Sequence, residues 1–183
     1  MLIVVGKSGS GKSTVCKELS MLGYTHFIQA TDRPMRTGEV DGRDYIFVNS
    51  ATFDKMVVDN KFVEYKSYRV ANGNIWRYGT INNTIAIQSN AFVFICPAPV
   101  ADSIACRYPN DVKICYIYAD NNTLRDRLMS RGTESIEEID RRLASDNIDF
   151  DDWNHYDFMI DVSNDPPNII ASKIDEIYKS TCK

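Results

Sequence analysis

Long apolar runs are missing from this 183-residue chain. A membrane-spanning helix needs about 20 consecutive apolar residues, and no segment approaches that length. The opening run MLIVV has neither the length nor the charged flank of a secretory signal. With 44% hydrophobic and 25% charged residues, the composition is typical of a globular domain and not of a disordered chain. We therefore expect a soluble, cytoplasmic protein without a membrane partner.

Paired cysteines and an excess of basic charge are also lacking. The five cysteines have no paired spacing, which argues against a disulfide framework or a zinc site. The formal net charge of -4 disfavours nonspecific binding to nucleic acid, although a local basic cluster can still hold a small anion. We expect one domain, a monomer or weak homodimer, with small-molecule partners.

Short, nearly continuous apolar runs alternate with helical patterns. The first helix is predicted from Gly11 to about Leu22, and the last from Asn168 to Tyr178. The apolar runs are typical of strands buried on both faces of a sheet: MLIVV (1–5), AFVFIC (91–96), VKICYIYA (112–119) and YDFMIDV (156–162). This alternation predicts a mainly parallel sheet covered by helices.

Residues 30–80 break the alternation because they are polar, aromatic and rich in turns. They contain strand-like DYIFV and KFVEY, with a short helix predicted near Ala51 to Val58. Asn72-Gly73 is a hairpin signal. The segment is therefore predicted to be an inserted mixed α/β subdomain.

Residues 120–155 indicate two charged helices. They break at Arg131-Gly132, and a capping box from Ser135 to Glu138 opens the second helix. Because these helices have too little apolar surface for a core, we expect them to form a mobile cover. The core of the single domain 1–183 is then predicted from segments 1–29, 81–119 and 156–183.

Residues 6–14, GKSGSGKST, match the complete G-x-x-x-x-G-K-[ST] pattern between a predicted strand and a predicted helix. Glycines let the backbone wrap around phosphates, and successive N–H groups point inward at the positive end of the helix dipole. The alternative, a tight turn without ligand, is disfavoured by motif and context together. Lys12 is expected to neutralise the outer phosphates and Ser13 to supply a hydroxyl to Mg²⁺. The predicted triphosphate-binding residues are Gly6, Lys7, Ser8, Gly9, Ser10, Gly11, Lys12, Ser13 and Thr14.

Further segments resemble guanylate kinase, a P-loop nucleoside-monophosphate kinase family. They are TDRPMRTGEVDGRDYIFV, FVEY, RYGT, LMSRGTESIEEIDRRL and YDFMIDVSND, in the family's order. The resemblance implies an α/β, three-layer P-loop fold with a mainly parallel central sheet, a nucleoside-monophosphate-binding subdomain at 30–80 and a helical lid at 120–155. It also implies phosphoryl transfer from MgATP to GMP, with dGMP as a further acceptor.

The predicted acceptor site lies within the inserted subdomain. Arg33 and Arg36 can place two planar guanidinium groups on a phosphate, although a solvated basic turn explains the same spacing. The Glu64 carboxylate can accept hydrogen bonds from N1–H and the amino group of guanine, which adenine cannot match. Taken alone, Glu64 also fits the outward residue of an edge strand. By resemblance, the GMP-binding residues are Arg33, Arg36, Tyr45, Glu64, Tyr78 and Thr80.

Arginines of the predicted lid complete the catalytic set. Phosphoryl transfer depends on alignment and on cations around the transferred group, and a closing cover also excludes water. By resemblance, Arg131 and Arg142 have this role together with Lys12, whereas Arg141 better fits a surface salt bridge. Asn164 matches a residue beside the adenine of ATP, and a plain turn explains it equally well.

The chain departs from the family pattern near the base site. Cys96 and Pro97 stand near the positions where the family strand ends in two aspartates, and Gln29 and Ala30 replace small hydroxyl residues. These changes remove expected contacts to guanine and acidic groups near the metal. Besides a guanylate kinase, the sequence is compatible with a kinase of another nucleoside monophosphate. A noncatalytic binding module of the same fold is the third interpretation, although such modules typically lack a working phosphate loop.

Overall fold

The computed structural model describes residues 1–70, 73–81 and 92–181, with the backbone alone from 92 to 96. The chain divides into a larger unit, Met1–His26 with Ile87–Lys183, and a smaller unit, Phe27–Ala86. The strands are β1 Leu2–Val5, β2 Thr25–Phe27, β3 Ala30–Thr31, β4 Ile46–Phe47, β5 Phe62–Arg69, β6 Ile75–Ile81, β7 Phe92–Cys96, β8 Lys113–Tyr118 and β9 Phe158–Asp161. The helices are α1 Lys12–Met21, α2 Ser50–Val58, α3 Ala98–Arg107, α4 Asn121–Arg131, α5 Ile136–Phe150 and α6 Pro167–Thr181.

A five-stranded sheet in the order β2, β7, β1, β8, β9 forms the centre of the fold. β1 runs parallel to both of its neighbours, and β8 runs parallel to β9. Side chains alternate along β1, so Leu2 and Val4 join the main core while Ile3 and Val5 are buried on the opposite face. The predicted α/β fold with a mainly parallel central sheet is confirmed.

One strand is less buried than its apolar run predicts. β9 forms an edge of the sheet, where Ile160 is buried but Met159 is 50% exposed. An edge strand has a single neighbour and is only partly covered. The prediction that YDFMIDV is buried on both faces is therefore wrong.

Helices α4 and α5 contribute to the main core, contrary to the expectation that they have too little apolar surface. Apolar residues spaced along an otherwise charged helix can form a narrow buried stripe. The buried residues of this stripe are Leu124 and Leu128 of α4 with Ile139 and Leu143 of α5. The expectation of a cover without core residues is therefore wrong for this segment.

The predicted break between these two helices and the predicted start of the second are confirmed. α4 ends at Arg131, where Gly132 adopts a φ of 61°, and glycine enters this conformation without a Cβ penalty. α5 begins after Ser135, whose Oγ accepts a hydrogen bond from Glu138 N at 3.3 Å. Among the described residues, no helix has the length and apolar character that crossing a bilayer requires.

The smaller unit contains a four-stranded sheet in the order β4, β3, β6, β5. β5 and β6 form an antiparallel hairpin whose register pairs Glu64 with Thr80. Its turn includes Gly73 at a φ of 85°, whereas the predicted turn residue Asn72 lies outside the described residues. The strand predicted at DYIFV is limited to β4, and the strand predicted at KFVEY extends to Arg69.

Helix α2, predicted near Ala51 to Val58, packs an aromatic residue into the core of the smaller unit. Phe53 is fully buried and stacks on Phe62 of β5 with ring centroids 4.6 Å apart. The guanidinium carbon of Arg77 lies 4.5 Å from the centroid of the Phe53 ring. These contacts tie α2 to the hairpin that carries Glu64.

Candidate active site

The predicted triphosphate-binding residues, 6–14, lie where β1 ends and α1 begins. Gly11 is the N-cap of α1 at a φ of 89° and gives the first turn no side-chain cap. The first amides of a helix lack intrahelical acceptors, so a helix without such a cap keeps donors for a ligand. These donors lie at the positive end of the helix dipole. The loop can therefore bind phosphate oxygens.

A second glycine allows a helix to approach this loop. Gly9 has a φ of 84°, and a Cβ added there would lie 2.7 Å from the backbone oxygen of Leu124 in α4. Any other residue would meet both backbone strain and a clash with backbone atoms. Gly9 thus brings α4, part of the predicted cover, against the phosphate loop.

The Lys12 ammonium is held by the loop itself. Its Nζ donates to Gly6 O at 2.6 Å and to Lys7 O at 2.9 Å. This arrangement keeps a positive charge beside the amides that would bind phosphate. Burial raises the pKa of Cys16, one turn along α1, to about 12 despite a lowering effect of Lys12. The Cys16 thiol therefore stays neutral.

Two side chains of α5 also contact the loop. Ser8 N donates to Asp146 Oδ2, and Lys7 Nζ donates to Asn147 Oδ1 at 2.7 Å. A carboxylate bound to an amide of a phosphate loop occupies a donor that another anion could use. The two pairs are 138 and 140 positions apart along the chain, so no local sequence pattern indicates them.

The residues around the loop fit a magnesium ion that arrives with a triphosphate. Mg²⁺ usually keeps water and phosphate ligands and takes few oxygens from the protein. Ser13 offers an exposed hydroxyl in the first turn of α1. Within the described ranges, no group of three or more His, Cys, Asp or Glu side chains could hold a metal alone. Ser13 is therefore the candidate ligand from the protein.

The predicted catalytic arginines of the lid lie on different helices of the larger unit. Arg131 is exposed at the end of α4. Arg142 lies on α5, where its Nη1 donates to Glu134 Oε1 at 2.5 Å and Oε2 at 2.7 Å. A phosphate would have to compete with Glu134 for this guanidinium. Arg141 forms the predicted salt bridge, with Glu138.

A cavity of about 410 Å³ lies between β9 and α6 in the larger unit. Asp161 at the end of β9 and Asn164 after it line the cavity on one side, and Lys173 and Glu176 line it from α6. Its volume falls within the range of small-ligand pockets. Asn164, which the resemblance assigns to the adenine of ATP, therefore borders a space in which a small group fits.

In the smaller unit, Arg33 is held by a carboxylate that the sequence analysis missed. Its Nη1 and Nη2 donate to Glu39 Oε2 at 2.7 Å and Oε1 at 2.5 Å, and its side chain is 1% exposed. Burial alone would lower the pKa of Arg33, but the hydrogen bonds to Glu39 and the nearby charges together have the larger effect, so the pKa is raised overall. Glu39 also accepts from Arg36 N at 2.8 Å. The available signal was a single carboxylate three residues after Arg36 in a basic turn.

Aromatic rings surround the Arg33 guanidinium. Its central carbon lies 5.0 Å from the centroid of Tyr45 and 5.3 Å from that of Phe47. The rings of Tyr45 and Tyr78 are 5.8 Å apart. Burial raises the pKa of Tyr45, so its hydroxyl keeps its proton. The structure thus brings together the predicted phosphate-binding residues Arg33, Tyr45 and Tyr78.

A second arginine fixes the segment that carries Arg33. Arg77 N and Nε donate to Asp32 Oδ1 and Oδ2, both at 2.7 Å. Thr31 Oγ1 donates to Arg77 O at 2.8 Å, and Arg77 also pairs with Asp54 of α2. The residues directly before Arg33 are therefore fixed to β6 and α2, which sequence reasoning did not predict.

The carboxylate predicted to recognise the base lies on β5 opposite Thr80 of β6. Thr80 Oγ1 donates to Glu64 Oε1 at 2.5 Å, and Gln29 Nε2 donates to Thr80 Oγ1 at 3.2 Å. Burial raises the pKa of Glu64, although the hydrogen bond from Thr80 lowers it in part. Tyr78 and Thr80 are alternate residues of β6, so they lie on the same face as the Glu64 carboxylate.

The other departures from the family pattern lie in three elements. Ala30 is buried in β3. Cys96 ends β7 in the stretch for which only the backbone is described, and Pro97 is the N-cap of α3. Gln29 forms a hydrogen bond with Thr80, a predicted base-binding residue.

The parallel sheet and the phosphate loop between β1 and α1 define the P-loop class of nucleotide-binding proteins. The sequence model of guanylate kinase matches residues 1–180. The chain therefore belongs to the guanylate kinase family, and the protein is an enzyme of the nucleoside-monophosphate kinase class. The interpretation as a noncatalytic module is set aside.

Solved structures agree with this fold. The chain is similar to a guanylate kinase from Anaplasma phagocytophilum, with 19% identity and a TM-score of 0.71 over 99% of this chain and 85% of that chain. It is also similar to a gluconokinase from Sinorhizobium meliloti 1021, with 13% identity and a TM-score of 0.52 over 100% of this chain and 97% of that chain. At these identities both likenesses concern the fold alone.

Proposed function

We propose that the protein transfers the γ-phosphoryl group of MgATP to GMP, giving ADP and GDP, with dGMP as a further acceptor. One observation supports this most strongly: a single face of the β5–β6 hairpin carries Glu64 with Thr80, and Tyr78 lies two residues along β6. The ring of Tyr78 packs against that of Tyr45, which in turn lies over the Arg33 guanidinium. A nucleoside monophosphate has a base edge at one end and a phosphate at the other, and this arrangement suits both.

In the larger unit, the loop amides and Lys12 bind the phosphates of the donor, and Ser13 holds the metal. When bound, Mg²⁺ neutralises charge on the phosphate oxygens. Arg131 and Arg142 add positive charge around the transferred group, where cations stabilise the transition state most. Arg142 exchanges Glu134 for phosphate in this step.

In the smaller unit, donors for the acceptor phosphate surround Arg33. Arg33 Nε is buried and has no hydrogen-bond partner among the described residues, so the guanidinium keeps one unused donor. Arg36 adds a second guanidinium, and the hydroxyls of Tyr45 and Tyr78 add neutral donors. Glu39 keeps the Arg33 fork in one orientation.

At the base end, the Glu64 carboxylate accepts hydrogen bonds from N1–H and the amino group of guanine. A site built around such bonds rejects a base that lacks the donors, because the carboxylate is then left poorly paired. Cys96 and Pro97 stand at the end of β7, near the positions where the resemblance predicts aspartates, and this departure keeps another nucleoside monophosphate as the second candidate.

The test is production of ADP and GDP from ATP and GMP with and without Mg²⁺. We expect transfer only with the metal, and we expect Lys12→Ala to abolish it while the melting temperature changes by a few degrees at most. The variant loses two hydrogen bonds from Lys12 Nζ to the loop backbone, a modest cost in stability, but it also loses the charge that phosphoryl transfer requires. A Lys12→Ala variant that keeps most of its rate would remove Lys12 from the mechanism, and a wild-type protein that forms no GDP would overturn the proposed reaction.

A further inference from the structure

A chain of hydrogen bonds leads to the Glu64 carboxylate, and its direction is fixed by chemistry. Thr80 has one hydroxyl proton, and an ionised carboxylate can only accept, so that proton goes to Glu64 Oε1. The Thr80 oxygen must then accept from its other neighbour. Gln29 therefore faces Thr80 with its nitrogen, at 3.2 Å, since its carbonyl would meet an oxygen without a proton to give.

The position of Gln29 suits it to keep the hydrogen bonds directed from Gln29 to Thr80 and from Thr80 to Glu64. Its side chain is buried, and its backbone oxygen accepts from Ile46 N of β4 at 2.9 Å. Thr80 is fully buried as well. A buried hydrogen-bond chain with a fixed backbone has few alternative arrangements, and each bond polarises the next. The hydroxyl of Thr80 is thereby prevented from turning toward a ligand.

We propose that Gln29 is a positioning residue that determines base specificity: it holds the Thr80 hydroxyl so that its proton is committed to Glu64. The base site then presents acceptors to the ligand and offers it no proton from Thr80. This inference rests on the proposed function, because it concerns the base of the phosphate acceptor.

The consequence concerns which base edges fit. Guanine presents two adjacent donors, N1–H and its amino group, to the Glu64 carboxylate. Adenine and cytosine each place a ring acceptor beside their amino donor, and that acceptor would face an oxygen. Uracil has one N–H between two carbonyl oxygens. With the Thr80 proton committed to Glu64, these two side chains offer the base only acceptors, which favours guanine, and the selectivity depends on where that proton goes.

The first test needs no ligand. NMR titration of the full chain follows the Glu64 side-chain carboxyl in wild type, in Gln29→Leu, and in Asn49→Ala as a control. Asn49 caps α2 in the same unit, where its Oδ1 accepts a hydrogen bond from Thr52 N at 2.7 Å. Its replacement should lower stability but leave the hydrogen bonds among Gln29, Thr80 and Glu64 intact. We expect Gln29→Leu to raise the pKa of Glu64 because Thr80 is no longer held against it, and Asn49→Ala to leave that pKa unchanged. An unchanged pKa in Gln29→Leu would overturn the inference.

The second test measures selectivity by equilibrium binding. Calorimetry gives the ratio of dissociation constants for GMP and AMP, with MgATP as a control ligand. We expect Gln29→Leu to lower the preference for GMP by about tenfold, the effect of one hydrogen bond. Gln29→Glu should lower it further, because the new carboxylate competes with Glu64 for the Thr80 proton. MgATP affinity should stay the same in both variants.

The outcomes separate this inference from the proposed function. If GDP is formed but the ratio for GMP and AMP is the same in wild type and Gln29→Leu, Gln29 has only a structural role and the inference fails. If binding is selective and responds to Gln29 while no phosphoryl transfer occurs, the inference stands and the proposed reaction fails. A wild-type protein that binds AMP as tightly as GMP would overturn the inference directly.

Discussion

At the scale of single residues, Glu39 organises the surroundings of Arg33, where we propose that the acceptor phosphate binds. Both of its oxygens bind the Arg33 guanidinium, and one of them also accepts from Arg36 N. A buried guanidinium is costly unless its charge is paired. Glu39 therefore pairs the buried charge of Arg33 and fixes the orientation of its guanidinium.

Replacing Glu39 tests this role. Glu39→Gln keeps one acceptor oxygen and removes the charge, so we expect a loss of about 2 kcal/mol in the free energy of unfolding. We also expect the KM for GMP to rise more than the KM for ATP. Urea denaturation and steady-state kinetics measure the two effects. As a control, Lys173→Ala removes an ion pair with Asp165 whose side chains are 51% and 37% exposed, and it should cost under about 1 kcal/mol.

The difference in the free energy of unfolding between wild type and Glu39→Gln should depend on pH in a definite direction. Burial raises the pKa of Glu39, but the hydrogen bonds from Arg33 and Arg36 lower it below its ordinary 4.5 overall. The stability that the pair contributes is therefore present above pH 4.5 and is lost as the pH falls through the lowered pKa. Wild type and Glu39→Gln should converge in stability at strongly acidic pH. A difference that grows on acidification would contradict the pairing.

For Glu64, we expect pH to affect substrate binding. Burial raises its pKa above 4.5, against lowering effects of Thr80 and of the Lys66 charge. Because only the ionised carboxylate accepts both guanine donors, the KM for GMP should rise as the pH falls through this raised pKa. Glu64→Gln should raise the KM for GMP at neutral pH and remove the titration. Equal effects of Glu64→Gln on the KM values for GMP and ATP would instead place Glu64 in the scaffold.

At the scale of elements, α4 combines two roles. Its Leu124 side chain is fully buried in the main core, and the backbone oxygen of the same residue lies against Gly9 of the phosphate loop. Helix α5 contacts the loop through a side chain, since Asp146 Oδ2 accepts a hydrogen bond from Ser8 N. The two helices predicted as a cover are therefore connected to both the core and the loop.

Truncation within α4 distinguishes an anchored helix from a loosely attached cover. Leu124→Ala should lower the free energy of unfolding by about 3 kcal/mol, since it removes a fully buried side chain and leaves a cavity. Met129→Ala on the same helix removes a side chain that is 47% exposed, and it should change stability by about 0.5 kcal/mol or less. Chemical denaturation measures both. Equal small effects would mean that α4 does not depend on the core.

At the scale of the whole molecule, the sequence predicts local features and misses contacts between distant segments. The phosphate loop, the individual buried strands and the break at Gly132 depend on residues that are neighbours in the chain, and all of them have clear patterns. The edge position of β9 depends on strand order, which an apolar run does not reveal. The pairs of Arg77 with Asp32 and of Gln29 with Thr80 join residues 45 and 51 positions apart. No local pattern indicates such pairs.

The same distinction applies to the proposed acceptor site. The resemblance identifies Arg33, Glu64 and Thr80, but the contacts of Gln29 with Thr80 and of Asp32 with Arg77 become visible only when β3 and β5 pair with β6. Gln29, which the sequence presents as the loss of a hydroxyl residue, is in the structure a hydrogen-bond donor to Thr80. A departure from a family pattern can therefore be a replacement of one polar contact by another.

The most direct test of the account is formation of ADP from MgATP with each nucleoside and deoxynucleoside monophosphate in turn, using the unmodified protein. The account predicts rapid turnover with GMP, slower or equal turnover with dGMP, and kcat/KM values at least tenfold lower for AMP, CMP and UMP, since none presents two adjacent donors to Glu64. Preference for any of those three over GMP would contradict the assignment of the Glu64, Thr80 and Gln29 chain to guanine.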